Sequence, residues 1–276
     1  MNIRNLLNEA QNSLDSESAA LDCELLLCHC LGKERAYLYT WPEREVVSEL
    51  EMRFKTLLER RRQGEPIAYL IGTREFWSMP LRVNSSTLIP RPDTERLVEV
   101  ALDLSLRQSA HVLDLGTGTG AIALALASEK SQWCITGVDI AEDAVSLAQQ
   151  NARDLKIDNA KFIQSNWFEN IALQQFDLIV SNPPYIDEND PHLAQGDVRF
   201  EPRRALVAAQ NGFAAIGDIA DAARKYLQRG GWLLFEQVTH RHLPCALYCR
   251  NWVTAMYRHG MIGAVMSASP EVVGDE

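Results

Sequence analysis

The chain has 276 residues, 46% hydrophobic and 23% charged, a composition that belongs to a folded globular protein and excludes a disordered one. No run approaches the roughly 18–20 consecutive apolar residues of a membrane helix, and the first residues carry no apolar signal core, so a cytoplasmic address and no membrane partner are expected. A net charge of −10 argues against a protein that works by neutralising phosphates, so no direct nucleic-acid partner is expected.

Helical spacing dominates the start of the chain. Ile3, Leu6 and Leu7, then Leu14, Leu21, Leu25, Leu26 and Leu27, recur with helical period, and Asp15 or Ser16 offers a cap before the second segment. Leu50, Met52, Phe54, Leu57 and Leu58 predict a third helix ending in Arg60, Arg61 and Arg62, where cations complement the macrodipole. Gly64 and Pro66 stop it. Residues 1–73 therefore read as a small all-helical domain. Short β-like runs follow at Arg74–Met79, Leu81–Val83 and Thr87–Ile89, broken at Pro80 and Asn84-Ser85, and predict a β-hairpin linker over 74–93.

From Thr94 strands and helices alternate. The predicted strands are Ala110–Leu115, Trp133–Asp139, Lys161–Gln164, Phe176–Ser181 and Gly231–Glu236. Helices are expected at Gly120–Ser128, Glu142–Leu155 and Phe213–Leu227. Such alternation predicts an α/β domain over 94–276, with a mostly parallel sheet covered on both faces. Ligands in such sheets sit beyond the carboxyl ends of the strands, where strand order reverses. The six cysteines show no C-x2-C pair. Cys23, Cys28 and Cys30 read as small buried thiols, and the tail cluster His240, His242, Cys245 and Cys249 is not read as a metal site, so no metal is expected.

The first of these strands ends in Asp114-Leu-Gly116-Thr117-Gly118-Thr119-Gly120-Ala121. Gly116, Gly118 and Ala121 satisfy G-x-G-x-x-A, and Asp139 ends the next strand with the spacing of an acid that takes ribose hydroxyls. Dinucleotides and S-adenosylmethionine both suit that geometry. Asp114 places a carboxylate near a ligand bearing a sulfonium and an ammonium, and Gly120 opens the helix start further, which favours the methyl donor.

The fourth strand runs into Asn182-Pro183-Pro184-Tyr185. Two prolines forbid continuation of strand or helix and make a stiff corner that holds the Asn182 amide in a fixed direction. Acceptors on a planar –NH2, from the Asn182 side chain and the Pro183 carbonyl, would orient a nitrogen whose lone pair is delocalised, while Tyr185 covers one face.

Asp114–Gly120 followed by Asn182–Tyr185 resembles the amino-methyltransferases that act on exocyclic or amide nitrogens. With Gly64–Tyr69 (GEPIAY), Leu88–Leu97 (LIPRPDTERL), Glu201–Leu206 (EPRRAL) and the helical start, the chain is similar to the HemK/PrmC family of protein-(glutamine-N5) methyltransferases. The resemblance implies a Rossmann-like class I methyltransferase sheet and an S-adenosyl-L-methionine cofactor. It implies, as substrate, the glutamine in the GGQ motif of class I peptide chain release factors. By that resemblance Gly116, Thr117, Gly118, Thr119, Gly120, Asp139, Trp167 and Asn182 bind the donor. Asn182, Pro183, Pro184 and Tyr185 hold the glutamine, with Asn182, Pro183 and Tyr185 catalytic, and the helical domain helps grip the release factor. A monomer is expected. The alternative is the same module acting on adenine of nucleic acid. An NAD-dependent oxidoreductase gives no reason for Asn182–Tyr185. Asn166 stands where the family usually has an acid, which weakens the grip on the adenine amino group. The tail 237–276 departs from the family pattern, shows no recognisable final hairpin, and leaves the fifth strand with an unpaired edge. It reads as out of register at the coding level, which resequencing of the gene tests.

Overall fold

The computed structural model describes residues 1–208, 214–237 and 262–267. The chain divides into two compact units: Met1–Thr73 with Ala194–Phe200, and the described residues of Arg74–Leu193 and Glu201–Glu276. Among the described residues no helix is long and apolar enough to cross a membrane.

The first unit is built from α1 (Ile3–Gln11), α2 (Ala19–Leu31), α3 (Arg35–Thr40), α4 (Ser48–Arg62) and α5 (Ile67–Ile71). Asn2 caps α1, its side chain accepting from the Asn5 N–H at 2.9 Å. The core gathers Ile3, Leu6, Leu26, Leu27, Phe54, Leu57 and Leu58 around Cys23, Cys28 and Cys30. Burial raises all three thiols, Cys23 to about 11, which suits packing rather than reactivity. Three expectations change. Ser18, not Asp15 or Ser16, stands at the N-cap of α2, and it makes no side-chain cap bond. Leu21 and Met52 face outward, because the buried stripe of their helices runs through Cys23 and Phe54 instead. Arg61 does more than complement the helix dipole from the last turn of α4. Its Nε donates to Asp22 Oδ2 and its Nη1 to Asp197 Oδ1, both at 2.8 Å, and Nη1 also reaches the Glu65 carbonyl at 3.1 Å. Asp22 is buried, so deleting its cation leaves an uncompensated charge. Arg61→Ala is accordingly expected to lower the stability of this unit by about 3 kcal/mol, read as an earlier chemical-denaturation midpoint, whereas Arg62→Ala shifts it little.

From its second residue, β1 (Thr73–Phe76) belongs to the second unit, and with β2 (Met79–Arg82) it forms a two-stranded sheet turning through Trp77 and Ser78 at φ 52° and 57°. Two central residues with positive φ are the signature of the type I′ turn, normally filled by Asn-Gly. Here Trp77 is held by its own bonds: its N–H donates to Glu95 Oε1 and its indole to Glu129 Oε1. Pro80 lies inside β2 rather than breaking it, as an edge position allows, and residues 87–89 form no strand.

Then come α6 (Glu95–Asp103), β3 (His111–Leu115), α7 (Ala121–Glu129), β4 (Cys134–Asp139), α8 (Glu142–Leu155), β5 (Ala160–Gln164) and β6 (Phe176–Ser181). They are followed by α9 (Arg203–Leu206), α10 (Ala214–Ala223), β7 (Leu227–Gln237) and β8 (Ile262–Ser267). Six described strands form one sheet in the order β5-β4-β3-β6-β7-β8, parallel except for β8. Every residue of β6 is buried, and Ala121 through Ala127 of α7 are buried too, so helix and sheet share one core. The helix expected to reach Leu227 ends at Ala223, and β7 starts at Leu227, earlier than the expected Gly231, and runs through Gly230-Gly231. β8 runs antiparallel to β7, with Phe235 opposite Ala264, so the edge of β7 expected to be bare is paired. His240, His242, Cys245 and Cys249 lie outside the described residues, as does most of the tail on which the coding-frame expectation rests.

Candidate active site

Strand order reverses between β3 and β6. From β3 the chain moves outward through β4 and β5, then returns to lay β6 on the other side. The carboxyl ends of β3 and β6 therefore diverge into separate loops, leaving a crevice between them. The glycine loop leaves β3 and Asn182 leaves β6, with Leu115 opposite Ser181 as the last paired residues.

The loop after β3 is tied down at several points. Gly116 and Thr117 donate their N–H groups to the Val138 carbonyl at 2.9 and 2.8 Å. Gly118 donates to Asp139 Oδ2 at 3.0 Å, and Asp139 Oδ1 accepts from Ala141 at 2.9 Å. Gly118 has φ 54°, a left-handed conformation that a side chain resists. Beneath the loop, the Thr117 hydroxyl donates to Asp114 Oδ2 at 2.6 Å. Asp114 is fully buried, and burial pushes its carboxyl up to about 7. It does not line the cavity. The expectation that it attracts a cationic ligand thus gives way to a structural role, because a desolvated carboxyl anchors Thr117 from below.

Gly137 of β4 sets how closely this loop approaches the sheet. A Cβ there would lie 2.6 Å from the Phe162 ring and 2.7 Å from the Thr117 hydroxyl. Gly137→Ala is therefore expected to cost about 1–3 kcal/mol by overpacking and to weaken donor binding as Thr117 shifts, checked by thermal unfolding and calorimetry.

A third segment follows β5. Trp167 has φ 48°, strained for a bulky residue. Ser165 holds that turn, donating to the Trp167 carbonyl at 2.9 Å and accepting from the Asn170 N–H at 3.0 Å. A Cβ on Gly116 would touch the Trp167 ring at 3.5 Å, so loop and indole face each other in ordinary contact. Asn166 donates its amino group to Glu169 Oε1 at 2.8 Å, which leaves acceptor character to its oxygen.

These parts enclose a cavity of about 370 Å³. Gly116, Thr117, Gly118, Thr119, Asp139, Trp167, Asn182 and Pro184 line it, together with Ile140, Ser165 and Asn166. Gly120, Pro183 and Tyr185 do not. Gly120 packs under the start of α7, and Pro183 is buried. Burial, with the nearby Glu236 charge, pushes the Tyr185 phenol up to about 12.

The sequence alone did not mark the other wall. Phe76, Thr87, Leu88, Pro90, Arg91 and Thr94 line it, together with Arg204, Ala205 and Val207. Arg91 pairs with the buried Glu201, which also accepts from the Ile89 N–H, and Arg204 donates to the Ser86 carbonyl at 2.7 Å. The segments 88–97 and 201–206 thus clasp one another at the cavity wall. Their signal lay in the sequence as motifs without an evident role. Asn182 Nδ2 donates to Thr94 Oγ1 at 3.3 Å, so the same wall reaches the candidate acceptor corner. Among the described residues no cluster of three or more His, Cys, Asp or Glu is placed to hold a metal.

Residues 5–72 match the PrmC N-terminal domain, and residues 106–261 match a methyltransferase domain. A release factor glutamine methyltransferase from Shewanella oneidensis is 59% identical over 82% of this chain and 79% of its own length. The chain belongs to the release factor glutamine methyltransferase family. A second member, from Aliivibrio fischeri, is 57% identical over 86% of this chain and 84% of its own. The α/β unit also shares its fold with a methyltransferase of known structure from Pyrococcus furiosus, at a TM-score of 0.52 and 14% identity over 70% of this chain and 90% of that one. For a family member the sheet is the Rossmann-like methyltransferase sheet, and the cavity at its switch point is where that fold takes its ligand.

Proposed function

We propose that the chain transfers a methyl group from S-adenosyl-L-methionine to the side-chain amide nitrogen (N5) of the glutamine in the GGQ motif of class I peptide chain release factors. It does so as a monomer in the cytoplasm, with no direct nucleic-acid partner. The observation that carries this reading is the meeting of Asn182 and the loop Gly116–Thr119 on one cavity at the reversal of strand order. Residues 1–73 act as the helical domain that grips the release factor, 74–93 as the linker, and 94–276 as the catalytic domain.

The residues fit the donor. Asp139 keeps lone pairs beyond its two backbone bonds for ribose hydroxyls. Trp167 and Ile140 offer apolar surface for a planar base, and Asn166 an acceptor for its amino group. When bound, S-adenosyl-L-methionine supplies an electrophilic methyl on a sulfonium that leaves as a neutral thioether. The chain's own work is alignment. Asn182 Oδ1 accepts one N–H of the glutamine amide and the Pro183 carbonyl the other, which favours the positive charge growing on nitrogen. The stiff Pro183-Pro184 pair fixes both acceptors before the substrate arrives. Tyr185 supports the corner from behind.

Incubation with labelled methyl donor and either a release factor or duplex DNA tests the reading. Label is expected on the release factor, and a Gln→Ala change in its GGQ motif should abolish it. Label on DNA alone would transfer the assignment to adenine methylation.

A further inference from the structure

β6 and β7 lie side by side, and β7 runs on past the end of β6 to Gln237. Ser181 pairs with Phe235, so the residues that follow, Asn182 in the loop after β6 and Glu236 still within β7, lie at the same level. Asn182 Nδ2 donates to Thr94 Oγ1 at 3.3 Å. The Thr94 hydroxyl and the Asn182 amide both stand close enough to the Glu236 carboxyl to favour its charged form. Glu236 Oε2 is buried, with no hydrogen-bond partner among the described residues, at a point where the proposed mechanism gives it no part.

We infer that Thr94 and Glu236 are positioning residues that decide which way round the Asn182 carboxamide stands. The inference rests on the proposed function, since it concerns the acceptor that function needs. An ionised carboxylate only accepts, so it claims the single proton of the Thr94 hydroxyl. The lone pairs left on Thr94 then take an N–H, and the amino side of Asn182 turns toward both. In the opposite orientation the Asn182 oxygen would face a carboxylate and a committed hydroxyl, acceptor against acceptor. Asn182 therefore keeps its oxygen for the cavity that it lines. A polar chain ending in a charge is what makes a symmetric-looking carboxamide directional.

Among the described residues, the charged and titratable groups around Glu236 are Asp93, Arg91 and Tyr185. Burial raises the Glu236 carboxyl above the ordinary glutamate range and Asp93 adds to that, while the nearby Thr94 and Asn182 groups and the Arg91 charge oppose it. Once protonated, the carboxyl becomes a donor, the Thr94 proton is released, and Asn182 loses the reason for its orientation.

Protein labelled with 15N at asparagine side chains tests this without substrate. The Nδ2 resonance pair of Asn182, identified by its loss in Asn182→Ser, is expected to move with pH as Glu236 titrates and to stop moving in Glu236→Gln. A pair indifferent to pH in the native protein, or one that titrates equally in Glu236→Gln, would overturn the inference. In methylation assays Thr94→Val and Glu236→Gln should each lower kcat about tenfold, the loss of one hydrogen bond to a charged chain, with donor KM unchanged. The acid limb of the kcat profile should flatten in Glu236→Gln, and Thr94→Ser should recover most of the turnover lost in Thr94→Val. Equal impairment of Thr94→Ser and Thr94→Val, with donor KM rising in both, would make Thr94 merely structural and sink the proposal. A native protein whose Asn182 pair titrates as described but which methylates no release factor would overturn the proposed function and leave the orientation device standing.

Discussion

Asn182→Ala is expected to reduce turnover about 10²–10³-fold while methyl-donor affinity stays near that of the native protein. The difference between those two readouts follows from what Asn182 touches. Its amide donates to Thr94, which belongs to the segment 88–97 and not to the glycine loop. The donor's own contacts are proposed on Gly116–Thr119, Asp139 and Trp167, which the substitution leaves in place. What disappears is an acceptor held rigid by Pro183 and Pro184, aimed where positive charge develops on the amide nitrogen. A preorganised polar contact of this kind matters more in the transition state than in the ground state, so kcat falls and binding is spared. Calorimetry with the donor and single-turnover methylation check the two halves. An equal loss in both would mean that Asn182 belongs to the donor site instead.

The parts of the fold that the sequence revealed are those governed by short-range physics. β6 is buried on both faces, so it reads as the unbroken apolar run FDLIVS, and its bounds agree with the structure. Helix α8 carries a clear apolar stripe and likewise agrees, from Glu142 to Leu155. Glycines after a strand and prolines after another are local signals, and both mark loops at the switch point. What stayed hidden depends on partners far along the chain. Arg61 looks like one of three equivalent cations at a helix end until Asp197, 136 residues away, reaches it. The β1–β2 turn carries Trp-Ser in place of Asn-Gly, and Trp77 is held there by its bonds to Glu95 and Glu129, far along the chain. Asp114 and Tyr185 read as ligand-facing in their motifs, yet neither lines the cavity. The Arg91–Glu201 clasp joins motifs that no periodicity connects.

Asp139→Ala should weaken methyl-donor binding about 10–100-fold, as expected for losing hydrogen bonds to a charged acceptor. The carboxylate stands at the end of β4, in contact with the cavity, and already accepts from the Gly118 and Ala141 N–H groups. Each oxygen retains a lone pair, so the ribose hydroxyls find acceptors already fixed in direction by those backbone bonds. Alanine removes the ribose acceptors and at the same time releases Gly118, whose left-handed backbone is otherwise held in place. Asparagine is no remedy, since its amino group would oppose one of the two backbone N–H groups. Asp139→Asn should therefore resemble Asp139→Ala in affinity, and a near-native Asn variant would show that the negative charge is not what binds. Turnover at saturating donor should stay within a few-fold of native in both, because the acceptor corner at Asn182 is untouched. Asp139 and Asn182 variants thus fail in opposite columns, one in donor affinity and the other in kcat. That opposition follows from placing the two residues on loops after different strands, on the two sides of a single reversal in strand order.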